Sequence, residues 1–253
     1  MNKIWGKQMK NPLQRNKRKF QALENRIIFL EAALETILRA PQYVGSENIG
    51  FNGQRIRKMI FNELCRIFSF EAIIETGTFT GNTSGYMAEI TNLPVYTSES
   101  NNVLDALARK RLEVINNINC YLMDSREFLK VLAEKDINNK KVFIYLDAHC
   151  HDDLPLKQEI EIICQNWEVF VIMIDDFQVP WDAGYGYDSY GMTKVLSLKY
   201  FIPVFKQNGL IPFFPASPSI EETGAKRGCV ILTKRGDYSE HIGRCKLLKK
   251  YQL

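Results

Sequence analysis

A short apolar run, Ala72-Ile73-Ile74, ends in Glu75 and passes through Thr76-Gly77-Thr78-Phe79-Thr80-Gly81 into Asn82-Thr83-Ser84, where helical periodicity begins. Strand, acidic residue, glycine-bearing turn, helix start: this order constrains the fold more than any other stretch. It is the layout of a ligand-binding turn at the carboxyl end of the first strand in an open α/β sheet. Glycine lets a ligand come close to the backbone, and free amides at a helix start favour an anionic group. The spacing is Glu-x-Gly-x-x-x-Gly and lacks the third glycine of a Gly-x-Gly-x-x-Gly dinucleotide turn. An NAD-dependent oxidoreductase on a related sheet is the competing reading, and this spacing counts against it.

From that turn onward, β-rich runs alternate with helical segments. Strands are expected at 72–75, 94–98, 118–122, 141–147 and 169–174, and helices at 55–68, 82–91, 101–115, 124–136 and 155–166. Such alternation predicts a parallel sheet with right-handed crossovers. The runs 209–214 and 229–233 predict the arms of a closing antiparallel hairpin. Before the sheet, Phe20, Leu23, Ile27, Leu30, Leu34 and Ile37 follow a 3-4-3-4-3 spacing, a heptad seam on one helix that stops near Pro41. The seam fits a helix lying on its own domain, and equally a homodimer contact. Gly45, Gly50 and Gly53 mark the loop that follows. The division is a basic leader and amphipathic helix over 1–45, then one α/β domain over 46–253.

A chain of 253 residues, 45% hydrophobic and 25% charged, has room for one sizeable core. Its longest apolar runs, such as Val169 to Ile174, are too short to cross a bilayer, so no transmembrane segment is expected. The start lacks the apolar stretch of a secretory signal. Six cysteines show no close pairing, and several sit in apolar runs, which predicts reduced thiols and a cytoplasmic setting. The net charge of +4 hides an asymmetry, because residues 1–20 carry seven Lys or Arg and no acid. That leader is either simply solvated or a contact for an anionic surface. Without interleaved aromatics it does not read as a nucleic-acid module, and no nucleic acid is expected as partner.

Residues suited to a nucleoside fall just after the strands. Glu99 closes the second strand 24 residues after Glu75, where a carboxylate can accept hydrogen bonds from both ribose hydroxyls. After the third strand, Asp124 and Ser125 suit an adenine amino group and ring nitrogens, although Asp124 also reads as a helix N-cap. The fourth strand ends in Asp147, followed by Ala148-His149-Cys150-His151-Asp152-Asp153, and the fifth in Asp175-Asp176. Carboxylates at the ends of neighbouring strands face one crevice, and like charges at short range resist ionisation. A divalent cation resolves that conflict, and all-oxygen ligands favour Mg²⁺. A His-x-His-Asp zinc site is conceivable, but the three acids suit the harder ion better.

Together these residues resemble the class I S-adenosylmethionine-dependent methyltransferases. Within that family they are similar to the metal-dependent O-methyltransferases related to catechol O-methyltransferase, and to bacterial enzymes that methylate sugars and antibiotic intermediates. The resemblance covers roughly residues 70 to 180. It implies a Rossmann-like methyltransferase fold: a mostly parallel seven-stranded sheet with a terminal antiparallel hairpin and helices on both faces, here with an extra N-terminal helix. It implies S-adenosyl-L-methionine held by Glu75, Gly77, Thr78, Phe79, Gly81, Asn82, Thr83, Glu99, Asp124, Ser125 and Asp147. It also implies Mg²⁺ on Asp147, Asp175 and Asp176.

Catechol-type enzymes place a lysine three residues beyond the strand-four aspartate, where this chain has Cys150. The candidate catalytic residues are His149 and Asp147, with His149 the preferred base because imidazole titrates near neutral pH, and His151 second. These histidines also read as local loop hydrogen-bonders. Asn52 and Gln54 are expected near the cofactor's amino-acid end. The aromatics and glycines of 177–191 suit a sugar ring or an aromatic diol, or else form a surface loop anchored by its own rings. The implied activity is methyl transfer to a hydroxyl of a small molecule or glycan. A catalytically silent nucleoside-binding scaffold is the non-enzymatic alternative, and it leaves the acidic trio without a purpose.

Overall fold

The computed structural model describes residues 12–39, 50–149, 154–191 and 194–253. Pro41, Gly45, Cys150, His151, Asp152 and Asp153 lie outside the described residues. The alternating runs form β1 (Ala72–Thr76), β2 (Val95–Glu99), β3 (Ile118–Leu122), β4 (Val142–Leu146) and β5 (Phe170–Ile174). The helices are α1 (Pro12–Arg39), α2 (Arg55–Ile67), α3 (Asn82–Thr91), α4 (Asn102–Leu112), α5 (Ser125–Ala133) and α6 (Leu156–Asn166). β1, β4 and β5 are buried at every position, as strands of a parallel sheet covered on both faces must be. The last part adds β6 (Ser189–Tyr190), β7 (Lys194–Val195), α7 (Leu198–Gln207), β8 (Leu210–Pro215), β9 (Val230–Lys234), α8 (Asp237–Gly243) and β10 (Leu248–Lys250).

The main sheet has eight strands in the order β3-β2-β1-β4-β5-β9-β8-β10. Its first five strands are parallel, and β9 runs antiparallel to both β5 and β8. The parallel sheet, the helices on both faces and the terminal hairpin follow the expectation, but the count of seven strands is corrected to eight. Leu248 pairs with Pro215 and places β10 at the edge. Its Leu-Lys-Lys sequence has one apolar residue and no strand pattern to read. The pair β6 and β7 forms a separate small ribbon, with β6 at the end of the aromatic segment 177–191 and β7 just beyond it.

Strand alternation divides the core in two. Ile73, Phe143, Tyr145, Val171 and Met173 face α2, α3 and α8. Ala72, Ile74, Ile144, Ile172 and Ile174 face α5, α6 and α7. Each such large side chain contributes about 1.5–3 kcal/mol by leaving water. The start of α2 has its own clamp: the buried Glu222 carboxylate accepts hydrogen bonds from the amides of Ile56 (2.9 Å) and Arg57 (3.3 Å). A carboxylate there also meets the positive end of the helix dipole.

β1 is paired with β2 on one side and β4 on the other, so the strand order reverses there and a crevice opens over the carboxyl ends. α1 lies alongside α4 and begins at Pro12, earlier than the heptad seam suggests. Proline is well suited to a first helical position, where its missing amide costs nothing. Among the described residues no helix is long and apolar enough to cross a membrane. Cys65, Cys120, Cys164, Cys229 and Cys245 are free thiols.

Candidate active site

The turn after β1 packs directly on the chain leaving β4. Gly77 has φ +85°, and a Cβ on it would sit 2.3 Å from the carbonyl oxygen of Asp147. The Asp147 amide donates to the Thr76 carbonyl at 2.9 Å, which extends the pairing of β1 with β4 past the strand ends. No side chain fits at Gly77. Gly81, at φ +81°, makes the left-handed step that opens α3.

Glu75 lies beneath this turn, almost fully buried. Its carboxylate accepts hydrogen bonds from the hydroxyls of Ser84 and Thr97, the latter at 2.6 Å, and the Thr78 hydroxyl is 2.6 Å from that of Thr97. Burial pushes the Glu75 carboxyl up to about 7, against the pull of the two hydroxyls. Glu75 therefore organises the turn from below and does not present its carboxylate to the crevice.

Glu99 links two loops. One carboxylate oxygen accepts from the Phe79 amide and the other from the Asn101 amide, both at 2.9 Å. Phe79, at φ +49°, is half exposed above it. Other expected residues have structural partners. Arg111 donates to the Asn82 side chain at 2.5 Å, and the Thr83 hydroxyl accepts from the Phe51 amide at 3.0 Å. Gln54 makes two hydrogen bonds to the Arg227 backbone, at 2.8 and 3.1 Å, and the Asn52 carbonyl accepts from the Ala225 amide. Asp124 is the N-cap of α5 and is ion-paired with Arg126, which holds its carboxyl below the usual range. Ser125 is buried beside it.

Of the acids, Asp147 and Asp176 meet and Asp175 does not join them. Ligand atoms of Asp147, His149 and Asp176 all lie within 4.8 Å of one another. His149 Nε2 is 3.9 Å from Asp147 and 3.8 Å from Asp176. Asp175 points the other way, fully buried, in an ion pair with Arg57 and accepting the Tyr145 hydroxyl. Successive residues at a strand end face opposite sides. Asp175 continues the face of Met173 toward α2, while Asp176 turns into the crevice at φ +52°. An Asp175 oxygen accepts the Asp176 amide at 2.6 Å and so fixes that turn.

Burial, then the charges of Asp175 and Asp176, raise the Asp147 carboxyl well above its ordinary value. For Asp176 burial acts in the same direction, but His149 and Arg227 outweigh it and hold the carboxyl at about 2.

Sequence reasoning missed two arginines. Arg57 stands in the apolar stripe of α2, between Ile56 and Ile60, and an arginine in such a stripe signals a buried anion. Arg227 bridges Asp176 (2.6 Å) and Asp188, and nothing local in the sequence marks it. The aromatic segment is anchored by its own rings: Phe177, Val179 and Tyr185 are buried, while Trp181 and Tyr187 remain exposed. Tyr190 closes over the cluster. Its ring meets the imidazole of His149 edge-on at 6.2 Å, and its hydroxyl is 3.1 Å from the His149 carbonyl and 3.0 Å from Asp188.

Ser98 Oγ and both ring nitrogens of His149 are buried around the crevice without a close hydrogen-bond partner among the described residues. Native interiors rarely leave such groups unpaired, because each costs about 1–3 kcal/mol. A polar ligand, a cation or water in the crevice would satisfy them. Two carboxylate oxygens, of Asp147 and Asp176, and the His149 nitrogen make a set that fits a divalent cation, although not the all-oxygen trio expected from three acids.

Compared by sequence, the chain matches no protein-family model and no curated protein. Compared by structure, it is similar to the O-methyltransferase TomG of Streptomyces achromogenes, involved in tomaymycin synthesis and solved with S-adenosylmethionine. The TM-score is 0.56 and the identity 14%, over 83% of this chain and 90% of that one. An O-methyltransferase from Bacillus cereus in complex with S-adenosylhomocysteine matches at TM-score 0.52 and 14% identity, over 82% and 90% of the two chains. The methyltransferase PaMTH1 of Podospora anserina, also bound to S-adenosylhomocysteine, matches at 0.51 and 15%, over 93% and 100%. At these identities the likeness is one of fold, and that fold is Rossmann-like, of the kind seen in these methyltransferases.

Proposed function

We propose that the protein is an S-adenosylmethionine-dependent O-methyltransferase, assisted by a divalent cation and acting on a hydroxyl of a small molecule or glycan. One observation carries this reading. Gly77 packs on the Asp147 carbonyl with no room for a side chain, which sets the glycine turn against the chain that carries Asp147 and His149 and supports reading them as one site. Residues 46–253 make up the catalytic domain, residues 1–45 an appendage, and a second copy of the chain is the partner expected at α1. The free thiols support a cytoplasmic setting.

Gly77, Thr78, Phe79, Gly81, Asn82, Thr83, Glu99, Asp124, Ser125 and Asp147 would hold the nucleoside and its amino-acid tail, with Glu75 shaping the turn from below. Asp147 and Asp176 would hold Mg²⁺, with Asp175 orienting Asp176 rather than ligating. When bound, the sulfonium supplies an activated methyl group and the cation lowers the pKa of an acceptor oxygen. The chain's own residues do the rest. His149 takes the acceptor's proton on Nε2, the ring nitrogen that faces Asp147 at 3.9 Å and Asp176 at 3.8 Å. Arg227 fixes Asp176, Tyr190 shields the imidazole from water, and the exposed rings of Trp181 and Tyr187 offer flat faces to a sugar or aromatic diol. Holding donor and acceptor in line contributes through proximity.

The test is transfer of an isotopic methyl label from S-adenosylmethionine to a panel of catechols, sugars and metabolite extracts, with Mg²⁺ or with a chelator. Label on a hydroxyl, lost with the chelator, is expected. Transfer indifferent to the chelator would remove the cation from the mechanism, and no transfer to any acceptor would overturn the reading.

A further inference from the structure

We propose that α1 joins two copies of this chain as a parallel, in-register, two-stranded coiled coil. Phe20, Leu23, Ile27, Leu30 and Leu34 are between 48% and 69% exposed, a continuous apolar seam over two heptads. Scattered surface residues need no partner, but a contiguous stripe of this kind does. The half-buried Ile28 and Phe29 lie off this seam, and the helix lies alongside α4. The body therefore leaves the seam itself uncovered.

The charges beside the seam choose the occupant. With Phe20, Ile27 and Leu34 at position a and Leu23 and Leu30 at d, the flanking g positions are Lys19 and Arg26, and the e positions are Glu24 and Glu31. All four are exposed. In a parallel pair each g residue meets the e residue five positions on in the other helix. Lys19 then faces the partner subunit's Glu24, and Arg26 faces the partner subunit's Glu31. An antiparallel pair would instead oppose base to base and acid to acid. Ile27 at a, between leucines at d, further favours two strands over three. The seam is self-complementary in one orientation only.

Sedimentation equilibrium of the full chain tests this. The wild type is expected to reach twice the 29.3 kDa monomer mass. Ile27→Asp with Leu30→Asp is expected to be monomeric with an unchanged circular dichroism spectrum. Arg26→Glu should weaken self-association about tenfold by setting acid against acid twice per dimer. The double variant Arg26→Glu/Glu31→Arg should restore it. A wild type that stays monomeric, or an Arg26→Glu variant that associates more tightly as an antiparallel pair would, overturns the proposal. Should the apolar variant fail to fold, the charge exchange still decides, because it leaves the seam intact.

Discussion

Arg57 and Asp175 show how one ion pair sets the geometry of a neighbouring site. Both side chains are essentially inaccessible, and removing one partner of a buried pair leaves an uncompensated charge. Arg57→Met is therefore expected to cost about 3–5 kcal/mol in urea unfolding. A loss below about 1 kcal/mol would mean that Asp175 does not depend on this partner. Glu75 gives a pH dependence. Its carboxyl is raised from an ordinary 4.5 to about 7 by burial, so the folded state holds the proton more tightly than the unfolded chain. The stability it contributes is complete below about 4.5 and is lost as pH rises through about 7. Wild type should lose about 3 kcal/mol relative to Glu75→Gln between those limits. Parallel stability curves for the two proteins would contradict the assignment. The period-two alternation of β5 already puts Asp175 on the Met173 face, away from Asp176. Reading adjacent acids as one ligand set overlooked that alternation.

At the scale of elements, the turn from β1 to α3 is the piece on which the site depends. Gly77→Ala would force a Cβ against the Asp147 carbonyl and strain a left-handed backbone, so it should cost about 1–3 kcal/mol and weaken S-adenosylhomocysteine binding at least about tenfold. Calorimetric titration of the variant at wild-type affinity would show that turn and acid loop are not one site. The five parallel strands and their helices were legible to within a few residues, because β-branched runs and amphipathic periods alternate without conflict. α7 was not legible, since Pro203 stands inside it and reads as a break. β10 escaped for want of apolar residues.

For the whole molecule, sheet order gathers the chemistry. Reversal between β1 and β4 brings Glu99, Asp147, His149 and Asp176 to one edge from distant parts of the sequence. The motif spacing made that edge legible. Contacts such as Arg57 with Asp175, 118 residues apart, depend on the closed tertiary structure and left only the trace of an arginine in an apolar stripe. On the proposed function, one crevice takes a methyl-donor nucleoside and a cation together. Isothermal titration with S-adenosylhomocysteine and with NAD⁺, each with and without Mg²⁺, on wild type and Asp147→Asn/Asp176→Asn measures this directly. Binding of S-adenosylhomocysteine and not NAD⁺ is expected, with a Mg²⁺ response that disappears in the variant. Heat from NAD⁺ alone, or a Mg²⁺ response that survives loss of both carboxylates, would contradict it.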